Sequence, residues 1–117
     1  PEEAARKIVA ARGEGYASAE EVSARSACGR AVMEKLAHAD AMGSLRLGRR
    51  QALWQAGALR GAQPPLFAAA KRDLIVEPAA ELPPLAPSQE VVNDYVATGL
   101  SLRAHPLALL RERLRAW

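Results

Sequence analysis

The sequence is short of the residues most chemistry needs. It has one cysteine, Cys28, so no internal disulfide is possible, and with two histidines no Cys/His set stands at zinc spacing. One phenylalanine, two tyrosines and two tryptophans among 117 residues are too few for a base-stacking platform. No apolar run approaches the roughly 18 residues a membrane helix needs, and no basic-then-apolar leader opens the chain. We therefore expect no membrane partner, and a reducing, cytoplasmic setting. Closely spaced Asp pairs are also missing: Asp40, Asp73 and Asp94 lie more than 20 residues apart, whereas metal-assisted phosphoryl transfer gathers carboxylates around ions. No P-loop and no G-x-G-x-x-G occurs. His38 reads as a partly exposed helix residue and Cys28 as a small buried or boundary residue. No catalytic or metal site is expected, nor any cofactor in this stretch.

What is present is alanine, leucine and arginine. Of the 58 hydrophobic residues 26 are alanine, so a core must come from narrow stripes of larger side chains, which favours helices. Sixteen basic against 13 acidic residues give a net charge of +3, compatible with a polyanion without proving one. The signs are uneven: ten basic and seven acidic residues over 1–60, two and five over 61–100, four and one over 101–117. The chain starts with Pro1 rather than Met and stops at Trp117 within a helical pattern, and is read as part of something longer.

Helical periodicity organises residues 1–60. A helix with Ala4, Ala5, Ile8 and Val9 on one face follows the acidic Glu2 and Glu3, and Gly13 and Gly15 stop it. Ser18 with Glu21 has the spacing of a capping box and opens a second helix. A third turns Val32, Met33, Leu36 and Ala37 inward, Gly43 and Ser44 break it, and a fourth carries Ala52, Leu53, Ala56 and Leu59. Residues 61–87 hold six of the eight prolines and read as a linker. Over 88–117 we expect a helix capped by Ser88 with Val91, Val92, Tyr95 and Val96 on one side, a stop at Gly99, a short strand Leu100-Ser101-Leu102, and a last helix from Pro106 lining up Leu107, Leu110, Leu114 and Trp117. The fold class is mainly α: a small helical unit whose third and fourth helices read as an αα-hairpin, a Pro/Ala-rich linker, then helix, short strand, helix.

Two features point to binding. The hairpin between the third and fourth helices holds Gly43, Ser44 and Gly48, with Arg46 on the turn and Arg49 and Arg50 opening the next helix. Unpaired backbone N–H groups at a helix start, with the positive dipole end, suit a phosphate. Arg46, Leu47, Gly48, Arg49 and Arg50 are thus candidate DNA phosphate contacts; the alternative is that the glycines only cap helices and the arginines form a solvated face. In the linker, Gln63-Pro64-Pro65-Leu66-Phe67 sets an apolar pair that either folds back on its own domain or docks in a partner's groove, with Gln63 at the rim.

These features together resemble the C-terminal part of bacterial C-family DNA polymerases, the polymerase III alpha type, and within it the error-prone paralogue of damage-induced mutagenesis. The likeness rests on Ala39-Asp40-Ala41-Met42-Gly43-Ser44-Leu45 leading into Arg49-Arg50-Gln51-Ala52-Leu53-Trp54, on Pro65-Leu66-Phe67-Ala68-Ala69-Ala70, and on Asp94-Tyr95 with Thr98-Gly99-Leu100-Ser101-Leu102-Arg103-Ala104-His105-Pro106. The resemblance implies that residues 1–60 are a tandem helix-hairpin-helix region clamping duplex DNA, its first hairpin incomplete. It makes 61–87 a linker in which Gln63, Leu66 and Phe67 match a sliding-clamp-binding motif, departing from it at Pro64-Pro65. Residues 88–117 then lead toward an oligonucleotide-binding domain the chain does not reach. It also implies a parent nucleotidyltransferase using magnesium, active in translesion synthesis, DNA repair and replication, whose catalytic carboxylates lie elsewhere. The function expected of the segment itself is sequence-independent binding of duplex DNA; the alternatives are a module recruiting the sliding clamp or accessory mutagenesis proteins, and a spacer with neither contact strong.

Overall fold

The computed structural model describes residues 2–59 and 80–115, and every described element is helical. Helix α1 spans Glu2–Ala10, α2 Ala19–Ser26, α3 Arg30–His38, α4 Arg49–Ala58, α5 Pro87–Thr98 and α6 Pro106–Leu114; a single 3-10 turn occupies Gly43–Leu45.

Local chemistry explains most boundaries. Glu2 pairs with Arg6 at 2.6 Å and Glu3 with Lys7 at 2.8 Å along exposed α1, pairs that add a few tenths of a kcal/mol each. The chain then reverses through Gly13 and Gly15, the latter at φ +129°, a conformation essentially reserved for glycine. At α2 the Glu21 amide donates to Ser18 Oγ at 3.1 Å as a capping box requires, while Glu21 Oε2 accepts from the Ala17 amide, one residue before the cap, at 2.6 Å. Ala17's N–H and the Arg25 guanidinium hold the Glu21 carboxyl below its usual range.

Helix α3 ends earlier than the sequence implies. It stops at His38 in a Schellman motif: the Asp40 amide donates to the Ala37 carbonyl at 3.0 Å and the Ala41 amide to the Leu36 carbonyl at 2.9 Å, with Asp40 itself left-handed at φ +54°. The connection to α4 is therefore residues 39–48 and contains the 3-10 turn.

The core lies between α2, α3 and α4. Ala19, Val22, Met33, Ala37, Met42, Ala52 and Ala56 are buried together, with Ile8, Tyr16, Leu36, Leu45, Leu47 and Leu53 packed around them. The small facing residues Ala37, Ala52 and Ala56 let α3 and α4 approach closely.

The C-terminal part departs further from the sequence reading. Helix α5 begins at Pro87 with Ala86 as its cap, so Ser88 lies inside the first turn; proline, lacking an N–H and fixed in φ, is well suited to that opening position. Gly99 ends α5 at φ +79°, its N–H donating to the Tyr95 carbonyl at 3.0 Å. Of the four residues expected on one side of the helix only Val91 is buried; Val92, Tyr95 and Val96 are exposed. The Leu100–Leu102 stretch is irregular and not a strand: no strand occurs among the described residues to pair with it, and Leu102 is 95% exposed. In α6, Leu107, Leu110 and Leu114 are exposed, and Trp117 lies outside the described residues.

Candidate nucleic-acid interface

The turn between α3 and α4 brings Arg46, Gly48, Arg49 and Arg50 to one place, beside a cleft of about 350 Å³ whose opposite wall includes Glu81, Leu82 and Leu85. That wall is tied down: the Leu82 amide donates to Gln51 Oε1 at 3.3 Å, and Arg50 Nη1 donates weakly to the Pro83 carbonyl at 3.4 Å.

The candidate contacts separate into three kinds. Arg46 and Arg50 carry exposed side chains, and Gly48 caps α4 without a side chain, so no side-chain bond competes for the amides at that helix start. Leu47 does not fit the expected role. Its amide turns back to the Met42 carbonyl at 3.4 Å and its side chain packs on the core, while the Arg46 amide is likewise used on the Gly43 carbonyl at 2.9 Å. The amides at the start of α4 lie ahead of its first intrahelical bond, from the Ala52 amide to the Gly48 carbonyl, whereas those of Arg46 and Leu47 are engaged within the turn.

Arg49 is a plain correction. It is 1% exposed, and its guanidinium faces away from solvent into α5, where it donates to the Glu90 carbonyl at 3.0 Å, lies 3.1 Å from Glu90 Oε2 and pairs with Asp94. A cation so enclosed must be matched by carboxylates, and it has two. It holds α5 on α4 and is not available to a phosphate.

The carboxylates continue the network. Arg103, half exposed, pairs with Asp40 and lies 3.5 Å from Asp94 Oδ2 and 3.8 Å from Glu90 Oε2. Ser101 donates its hydroxyl to Asp94 Oδ2 at 2.6 Å and accepts the Arg103 amide at 3.2 Å. The Ser101 hydroxyl and the Arg49 guanidinium hold the Asp94 carboxyl below its ordinary range against the opposing effect of burial. These acids do not fit a magnesium seat: two arginines already neutralise them, and no group of three or more potential ligands among the described residues has metal-holding geometry.

Sequence reasoning missed a second arginine. Arg25 on α2 donates to the carbonyls of Ala11, Arg12 (2.9 Å) and Gly15 (2.7 Å), pairs with Glu21 at 2.8 Å and stacks on Tyr16 with 4.8 Å to the ring centroid. It satisfies carbonyls just past the end of α1, while the Tyr16 hydroxyl donates to the Ile8 carbonyl at 2.5 Å. Only the Glu21–Arg25 spacing hinted at it, as an ordinary helix-face pair. His38 is exposed and Cys28 buried. Gln63, Leu66 and Phe67 lie outside the described residues. No helix among the described residues is long and apolar enough to cross a membrane.

Comparison with known proteins agrees with this architecture. Residues 1–52 match the model of the helix-hairpin-helix motif. An error-prone DNA polymerase of Ruegeria pomeroyi is 48% identical over 112 residues, which is 94% of this chain and 10% of that protein. Error-prone DNA polymerase 1 of Rhizobium meliloti is 43% identical over 112 residues, 92% of this chain and 10% of the relative. The error-prone DNA polymerase of Rhodopirellula baltica is 39% identical over 120 residues, 99% of this chain and again 10% of the relative. No solved structure matches. The chain spans about a tenth of the length of the curated relatives it matches. Over nearly its whole length, then, this helical chain is homologous to a segment of proteins named error-prone DNA polymerase, and its residues 1–52 match the helix-hairpin-helix motif.

Proposed function

We propose that the chain is a non-catalytic part of an error-prone DNA-directed DNA polymerase, serving damage-induced mutagenesis and translesion synthesis, and that it grips duplex DNA by its phosphates without reading sequence. One observation carries the reading: the start of α4 has no side-chain cap and is flanked by the exposed guanidinium groups of Arg46 and Arg50, within the stretch that matches the helix-hairpin-helix motif. Amides and the dipole at such a helix start attract an anion, and arginines add charge-assisted bonds to it. Phosphate contacts fix position and carry no sequence information. Polymerisation and its magnesium belong, in this reading, to other parts of the parent.

Binding of unrelated duplexes to the chain, measured across a salt series, tests it. Each phosphate contact contributes about 0.9 to the slope of log affinity against log salt, so Arg46→Ala with Arg50→Ala lowers the slope by about 2 on every duplex. An unchanged slope removes both arginines from the interface. A second reading, recruitment of the sliding clamp or accessory mutagenesis proteins, is favoured by the exposed Leu107, Leu110 and Leu114 of α6. Replacing Leu66 and Phe67 by Ala distinguishes the two: clamp binding is lost and DNA affinity kept if recruitment is the role.

A further inference from the structure

Within the 39–48 connection, residues 41–48 are bracketed by two residues that are poor choices for the helix ends they occupy. Asp40 occupies the left-handed position that closes α3, where glycine carries no steric penalty and aspartate is merely tolerated. Arg49 opens α4, where a cation opposes the helix dipole, and it is also buried. Neither α3 nor α4 has any local reason to prefer these side chains.

Both acquire their reason from one distant stretch. Arg103 pairs with Asp40, while Glu90 and Asp94 hold Arg49, so the two ends of the turn are gripped from residues 90–103. The grip is closed on itself, because Arg103 also lies 3.5 Å from Asp94 and Ser101 fixes both Asp94 and the Arg103 backbone. Local rules broken at two positions in favour of one long-range network mark a feature with a task beyond local helix stability.

We infer that residues 87–103 form a brace, and that Asp40, Arg49, Asp94 and Arg103 are positioning residues which hold the α3–α4 turn, with Arg46 and the start of α4, in the shape that receives a phosphate. The inference rests on the DNA-binding reading for the purpose of the brace, but not for its existence. The brace sets the geometry of the turn without touching the ligand, so loosening it weakens DNA binding while leaving the number of phosphate contacts unchanged.

The test uses the 117-residue chain with Arg103→Ala, a partly exposed position chosen to spare the core, and Arg103→Lys as the conservative variant. Amide hydrogen exchange is read without DNA. Arg103→Ala accelerates exchange over residues 41–48 about tenfold, leaves the α2 amides within twofold, and Arg103→Lys recovers most of the protection. With generic duplexes, Arg103→Ala lowers affinity about tenfold at a fixed salt concentration with an unchanged salt slope, in contrast to the Arg46/Arg50 variant. Unchanged exchange in the turn, or acceleration spread equally through α2, overturns the brace. A reduced salt slope in Arg103→Ala makes Arg103 a phosphate contact and overturns the positioning role. If the turn loosens as stated but the unaltered chain binds no duplex, the DNA reading fails and the brace stands.

Discussion

Replacing Arg49 by alanine is the sharpest probe of this structure. The side chain is 1% exposed, and the two carboxylates it serves are themselves largely enclosed, at 15% exposure for Glu90 and 13% for Asp94. Removing one partner of a buried ion pair costs about 3–5 kcal/mol, because the charge left behind has lost both water and counter-charge. Here the abandoned acids keep something. Asp94 retains the Ser101 hydroxyl and Arg103 at 3.5 Å, and Glu90 retains Arg103 at 3.8 Å. That places the expected loss near the lower end, about 3 kcal/mol. With a denaturant slope of about 1–3 kcal/mol per molar urea for a small protein, the unfolding midpoint falls by about 1–3 M. Arg50→Ala, one residue along but exposed, is the control and changes stability by about 0.5 kcal/mol or less. Combining Arg49→Met with Glu90→Gln and Asp94→Asn costs less than the sum of the separate changes, since charge and counter-charge leave together. A loss below about 1 kcal/mol for Arg49→Ala would mean that the guanidinium is hydrated, contradicting its burial and with it the view that α5 is pinned on α4.

Two further outcomes follow from the same coordinates. The Asp94 carboxyl is held below its ordinary 3.8 in the folded chain, so it contributes stability that is complete above that value and is lost as the pH falls through the lower folded-state value. Asp94→Asn therefore narrows the stability difference between pH 7 and pH 3 in urea titrations, and an undiminished difference would assign the acid sensitivity to other groups. Met33 is fully buried at the centre of the α2–α3–α4 core, so Met33→Ala costs about 2–5 kcal/mol by thermal unfolding, and a smaller loss would show that the alanine-rich surroundings collapse into the gap.

How much of this was legible in the sequence depends on the range of the interaction. The Ser18 cap of α2, the left-handed Gly99 and the proline start of α6 each depend on residues within about one turn, and all three formed as the spacing implied. The Met33/Ala37 and Ala52/Ala56 stripes carried enough helical period to locate the core. The apolar stripe of Val91, Val92, Tyr95 and Val96 was equally legible, yet only Val91 is buried, because a stripe says that a face is apolar and not that anything covers it. For the candidate interface, Arg46 and Arg50 stand exposed on the turn where the sequence put them, whereas Arg49, identical in type and adjacent to Arg50, is buried.

Composition, caps and period by themselves determined that this chain is helical, and that Gly43, Gly48, Arg46, Arg49 and Arg50 gather at one interhelical turn. Only the tertiary structure decided which arginine meets solvent and which meets acid. The partners of Arg49 and Asp40 lie 41 and 63 residues away along the chain, and the fate of a charge is set by the dielectric and counter-charges that distant segments bring to it, which no local pattern encodes.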